Sequence, residues 1–287
     1  MAGVTARPLS LAVARIVRAR DHDRFLTTLG APPARRAALL ALYAFNYEVA
    51  KTREMVHEPL LGQMRLQWWR ESIAAVYEGG ALRRHEVVEP LAEAIRAGGL
   101  TRAHFDRLID AREADLADVP PPSLAALEEY AAATSGGLVL LALEVLGLRE
   151  EPALTVGRDI GIAYALAGLL RAVPVHARAR RLYLPGDLVA EAALDLPRGL
   201  FALKSSPALR QVAAEVAAAA ARHLAAARAE RRRVPRAALP ALLPGVLAGR
   251  ALRRLARAGY DPFAPALAAP DGGAALGLML ARLRRRY

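Results

Sequence analysis

In almost every stretch of this chain, apolar residues recur three and four positions apart, and the stretches end at prolines or paired glycines. That spacing puts the apolar side chains on one helix face, whereas a half-buried strand needs them at every second position. From Arg35, the positions Leu39, Leu42, Tyr43, Phe45, Tyr47 and Val49 predict a long buried helix ending at Pro59. Pro32-Pro33 open it, since proline is tolerated in a first helical turn. Helices follow over 62–77, stopped by Gly79-Gly80, and over 91–96, broken at Gly98-Gly99. Another runs from a cap at Thr101 through Phe105, Leu108, Ile109 and Leu116. Ser123 starts the next one, interrupted near Ser135-Gly136-Gly137 and resumed to Gly147. Residues 150–174 read as a long helix, with Gly157, Gly161 and Gly168 allowing close approach of a backbone or a ligand. A loop is expected over 178–187, an Ala-rich amphipathic helix over 209–232, and short closing helices among prolines 235, 240, 244, 262, 265 and 270. The pattern contains no strand alternation longer than a few residues and no internal repeat. It predicts an all-α bundle in one domain over 1–287.

Composition agrees. Apolar residues make up 54%, dominated by Ala and Leu, which lose little on entering a helix. Cysteine is absent, which excludes disulfide frameworks, thiolate metal sites and cysteine nucleophiles. The net charge is +12, and 38 of the 40 basic residues are arginine, with lysine only at 51 and 204. Such a surface attracts anions, although an Ala/Arg-rich chain with solvated arginines has the same charge. Neither a helix-turn-helix nor an RNA-binding signature accompanies it, so nucleic acid is not an expected partner. The most apolar run, 137–148, contains Glu144 and falls short of the ~20 residues a spanning helix needs. A cytoplasmic chain, in contact with a membrane only at its periphery, is the expectation.

Three stretches carry the functional signal. Residues 41–54 read ALYAFNYEVAKTRE; residues 65–71 read RLQWWRE; residues 161–176 end LRAVPVH and are followed by Tyr183-Leu184-Pro185. Together they resemble the squalene/phytoene synthase family, most strongly over 21–185 and more loosely through the closing helices of 235–287. The resemblance implies an isoprenoid synthase-type helical bundle around a central cavity. Members join two prenyl diphosphates head to head, using magnesium held by two Asp-rich motifs on facing helices. The chemistry explains those motifs, because a leaving diphosphate builds negative charge that Mg²⁺ neutralises, and Mg²⁺ takes hard carboxylate and phosphate oxygens.

This chain departs from the family at the metal motifs. The positions matching the first motif read Ala50, Lys51 and Glu54, and those matching the second read Ala172, Val175 and His176. One carboxylate survives, beside a lysine. The framework persists in Tyr43-Ala44-Phe45, in Tyr130 with Thr134-Ser135-Gly136-Gly137, in Leu170-Arg171 and in Tyr183-Leu184-Pro185. These variant signatures resemble a non-catalytic branch of the family, a pseudoenzyme branch that includes the respiratory complex I assembly factor of mitochondria and similar α-proteobacterial proteins. The resemblance thus implies protein partners in complex I (NADH dehydrogenase) assembly, at the cytoplasmic face of the inner membrane, with no catalytic residue, metal or cofactor. Two alternatives stay open. One is a head-to-head prenyltransferase with altered metal dependence, which alone would need Mg²⁺. The other is a module binding a prenyl or quinone-like lipid.

For the lipid reading, the candidate cavity or head-group residues are Tyr43, Asn46, Tyr47, Arg171, Arg178, Arg180, Arg181 and Tyr183. Asn46 and Glu48 interrupt an apolar face, either exposed by the helix turn or set in a cavity. Arg171 needs a partner if buried, in a helix-to-helix salt bridge or an anion site. Arg178, Arg180 and Arg181 form a solvated loop or, alternatively, a phosphate clamp. Glu54 can pair with Lys51 three residues earlier. His176, without a ligand-spaced companion, reads as a polar contact or cap. The adjacent Trp68 and Trp69 cannot share a helix face, so one is expected inside and the other at a surface used by a partner.

Overall fold

The computed structural model describes residues 6–287 apart from His57, Asp118 and Pro270, with side chains from Leu11 onward. The proline stop expected at 270 therefore lies outside the described residues. Two N-terminal helices, α1 (Ala6–Arg20) and α2 (His22–Thr28), lead into α3 (Pro33–Ala50). Next come α4 (Pro59–Glu78), α5 (Val88–Gly98) and α6 (Arg102–Ala111). Gly79 and Gly99 end α4 and α5 in the left-handed conformation, at φ +74° and +57°, where a Cβ would be strained. Then α7 (Leu124–Ala131) passes through a π turn, Ala132–Gly136, into α8 (Gly137–Val145). The chain finishes with α9 (Ala153–Arg178), α10 (Pro207–Ala229), α11 (Pro244–Arg257) and α12 (Ala274–Arg284). The loop expected over 178–187 is shorter, since a one-and-a-half-turn helix, Gly186–Glu191, and a π turn, Leu196–Leu200, occupy the connection from α9 to α10. Among the described residues there is no strand. The chain is all-α.

Several boundaries differ from the sequence pattern, each for a local reason. No break occurs at Ser135-Gly136-Gly137: the π turn absorbs the shift in periodicity and the helix continues. The glycines serve packing, since a Cβ on Gly161 of α9 would come 2.5 Å from the Gly136 Cα. Pro174 does not end α9, which runs to Arg178; one missing N–H is outweighed by packing on α10 and α11. The α6 helix stops at Ala111, short of Leu116. Thr101 stands at its N-cap without capping it, because the Thr101 hydroxyl and N–H both donate to Glu144. Ser123 does cap α7, accepting from the Ala126 N–H at 3.2 Å.

The expectation that the most apolar run, 137–148, falls short of membrane-spanning length is corrected, because most of it belongs to a longer helix. Leu124–Val145 is one helix through the π turn, and both it and α9 are long and apolar enough by length and composition. Each has at least half of its most apolar window buried inside the protein, which suits core helices. The odd charge, Glu144, is buried and bound by Thr101 and Arg149.

One part of the core gathers Leu42, Phe45, Trp69, Phe105 and Leu141, with Phe45 meeting Trp69 and Phe105 edge-on at 5.3 Å. Another gathers Leu166, Leu170, Leu209, Val212 and Val216 between α9 and α10. The α3 helix packs on α1, α5 and α8; α9 packs on α8, α10 and α11. Polar side chains bridge the remaining distance between α3 and α9, the two helices that carry the motif positions.

Candidate functional site

Two polar networks lie near the motif positions. The first centres on Arg24 of α2, only 9% exposed. Its guanidinium stands 4.9 Å from the Tyr164 ring of α9 and 5.8 Å from the Tyr43 ring of α3. It donates to Asp21 at 2.7 Å and to Ser135 of the π turn at 3.5 Å. Burial works against its charge, yet Asp21 and the two tyrosines hold its pKa above the usual value. Burial likewise pushes the Tyr43 phenol up to about 12. Beside it, Arg171 of α9 donates to Asp23 at 3.2 Å, and the Tyr164 hydroxyl donates to the same oxygen at 3.4 Å. Arg171 thus makes a helix-to-helix ion pair.

The second network centres on Asp115, 7% exposed, at the end of the 3₁₀ turn after α6. Its Oδ1 accepts from the Tyr130 and Tyr183 hydroxyls at 2.8 and 3.2 Å, and its Oδ2 from Arg112 at 3.1 Å. Arg112 also donates to the Tyr130 oxygen at 2.6 Å. The His176 ring lies 4.5 Å from the Tyr183 ring. Burial, reinforced by the charge of Arg181, lowers the His176 pKa to about 4, so it is neutral at physiological pH. Arg181 donates to the Arg53 carbonyl at 3.4 Å, tying the loop after the second motif to the turn after the first.

At the first motif, α3 ends at Ala50, and Lys51 caps it before a one-turn helix, Thr52–Met55. Lys51 turns back to Glu48 instead of forward to Glu54, as helical side chains lean toward the N-terminus. The expected Lys51–Glu54 pair is therefore replaced. Arg65 of α4 takes the other Glu48 oxygen at 2.8 Å, while Glu54 is exposed. Lys51 also lies 4.9 Å from the Tyr47 ring. Asn46 is buried at 7% exposure.

These residues do not fit the family's metal. Ala50, Ala172 and Val175 offer no donor atom, and Glu48 has both oxygens held by cations. Asp115 is engaged by Arg112 and two phenols. Lys51 and Arg65 stand at Glu48 and Arg112 at Asp115, so a dication approaching either carboxylate would meet a cation already paired with it. Among the described residues, no three His, Cys, Asp or Glu side chains gather to hold a metal.

The second motif divides between two surroundings. His176 packs with Val173 and Tyr183, whereas Arg171, Pro174, Val175 and Arg178 line a groove of about 790 Å³ on another face of α9. Leu26 of α2, Leu247 and Ala251 of α11, and Phe263 and Leu267 give it apolar walls. Arg178 and Arg180 are exposed, Arg180 with φ +54°. Of the two tryptophans, Trp69 is buried at 1% exposure. Trp68 is half-buried under the Arg83 guanidinium and against His85.

The candidate residues thus fall into separate groups: Tyr43 with Arg171, His176 with Tyr183, and Tyr47 with Lys51. Their hubs, Arg24 and Asp115, do not stand out in the sequence. Both lie in short polar segments, and only partners distant in the chain make them interior. A third cluster was equally hidden. His223 of α10 meets Asp159 of α9 at 2.8 Å and Glu128 of α7 at 3.2 Å.

Comparison with known proteins gives a consistent picture. The family model described as squalene/phytoene synthase matches residues 17–276. A mouse protein named NADH dehydrogenase (ubiquinone) complex I, assembly factor 6, is 32% identical over 272 residues, covering 95% of this chain and 81% of that one. A presqualene diphosphate synthase of Rhodopseudomonas palustris is 30% identical over 208 residues, covering 71% of this chain and 72% of its own length. Among solved structures, the squalene synthase of Alicyclobacillus acidocaldarius superposes with a TM-score of 0.78 at 19% identity, over 89% of this chain and 96% of that one.

Proposed function

The chain belongs to the squalene/phytoene synthase family, and from that premise we propose that it has kept the fold without the reaction and serves in assembly of respiratory complex I. Identity alone gives little separation, because the mouse assembly factor and the bacterial synthase are matched at 32% and 30%. Coverage favours the assembly factor. The observation that carries the proposal is the charge around the motif positions: Glu48, just before the first motif, is clamped between Lys51 and Arg65, that motif's own carboxylate, Glu54, is exposed, and the second motif has no carboxylate. The partners are proteins of the assembling complex, and the chain acts in the cytoplasm at the periphery of the inner membrane, with neither metal nor cofactor. Deleting the gene lowers assembled complex I; a deletion strain with normal complex I activity overturns the proposal. The prenyltransferase alternative is not favoured. It requires head-to-head product from farnesyl or geranylgeranyl diphosphate with magnesium.

A second reading, lipid binding, is favoured by the groove. Its volume of about 790 Å³ lies within the range of small-molecule sites, roughly 300–1,000 Å³. Apolar walls suit a prenyl or quinone-like chain, and Arg178 at the rim suits an anionic or carbonyl head group. Native mass spectrometry of protein purified from its host detects such a lipid on this reading. Protein that carries none there counts against it.

A further inference from the structure

We propose that the outer face of α12 docks on an anionic lipid bilayer. The helix is apolar on two sides. Leu278 and Ala281 pack inward with Leu243 and Leu247, and Gly277 lies against the Arg250 side chain. On the outside, Leu276, Met279, Leu280 and Leu283 are 55%, 52%, 37% and 72% exposed. Their spacing is i, i+3, i+4 and i+7, one continuous helical stripe. Single exposed apolar residues are ordinary; a contiguous exposed stripe marks an interaction surface.

The charge beside the stripe identifies the partner. Arg282, Arg284, Arg285 and Arg286 are exposed at its end, and no Asp or Glu occurs from Gly272 to Tyr287. None of the four is paired with a carboxylate among the described residues. Leu29 of the neighbouring turn, 43% exposed, extends the patch beside Gly30, which lies against Arg282. An apolar face with clustered arginines suits a helix lying in the plane of an interface, its leucines at the acyl boundary and its guanidiniums on lipid phosphates. A second copy fits less well. Antiparallel pairing would set each arginine run against the partly positive N-terminus of the other helix, and parallel pairing would bring the runs together.

This assigns a surface to the membrane contact proposed above. Vesicle binding is read without complex I, so its failure and that of the assembly reading are separate results. Purified full-length protein should co-sediment with phosphatidylglycerol–phosphatidylcholine vesicles and at least about tenfold less with phosphatidylcholine alone. Met279→Glu with Leu283→Glu should weaken binding about tenfold or more, since both would press a carboxylate toward the acyl boundary. Arg284→Ala, Arg285→Ala and Arg286→Ala together should weaken it by about 100-fold, roughly fivefold per arginine, and flatten its salt dependence. Arg96→Ala with Arg107→Ala, exposed arginines on α5 and α6, should leave it unchanged. The proposal is overturned if wild type ignores anionic vesicles, if both α12 variants bind as wild type, or if the α5–α6 variant loses as much. It is also overturned by a wild-type dimer that Met279→Glu with Leu283→Glu turns into monomer while vesicle binding is absent.

Discussion

Glu48 and Glu54 bracket the end of α3 and meet different surroundings. Glu48 is 5% exposed and holds Lys51 and Arg65, whereas Glu54 points to solvent. Removing one member of a buried ionic cluster leaves the others uncompensated. Glu48→Ala should therefore cost about 3 kcal/mol, and Glu54→Ala should stay within about 0.5 kcal/mol, both read by urea unfolding. The sequence pointed to Glu54 because the family resemblance implies a ligand position there. The structural work belongs to Glu48, which the apolar pattern marked only as an interruption. Lys51 was legible as a positive charge in the first motif stretch, but its direction depends on where α3 ends.

Helices were legible wherever local chemistry decides them. Ser123 at a cap, Pro33 in a first turn and Gly79 at a left-handed stop all act within a few residues. Thr101 and Pro174 misled because distant groups intervened, Glu144 for one and the packing of α9 for the other. The same limit hid the clamp that joins three helices, in which His223 of α10 bridges Asp159 of α9 and Glu128 of α7. The hydrogen bond to Asp159 leads in raising the His223 pKa above 6.5, with burial opposing it. The folded state therefore keeps this proton at higher pH than the unfolded chain does. The stabilisation is complete below 6.5 and is lost as pH rises through the folded value. Urea unfolding at a series of pH values should show stability falling from 6.5 upward, and His223→Gln should remove that part of the slope.

Across the whole molecule, the all-α bundle was legible, since helical spacing of apolar residues recurs along the chain. What fills the space between α3 and α9 was not. Arg24 bridges Tyr43 of α3 and Tyr164 of α9; Arg112, Asp115, Tyr130 and Tyr183 join the turn after α6, α7 and the loop after α9. Both bring together residues far apart in the chain, as the Arg24–Ser135 and Asp115–Tyr183 bonds do. In both networks the charges are already paired, Arg24 with Asp21 and Arg112 with Asp115. Assembly of complex I should then need the folded surface and not the last motif carboxylate. The most direct test is NADH:quinone reductase activity in membranes of a deletion strain that expresses the Glu54→Ala chain. The expected result is full restoration, equal to the wild-type gene. Activity no higher than with an empty vector, from a variant that accumulates as wild type does, would contradict it.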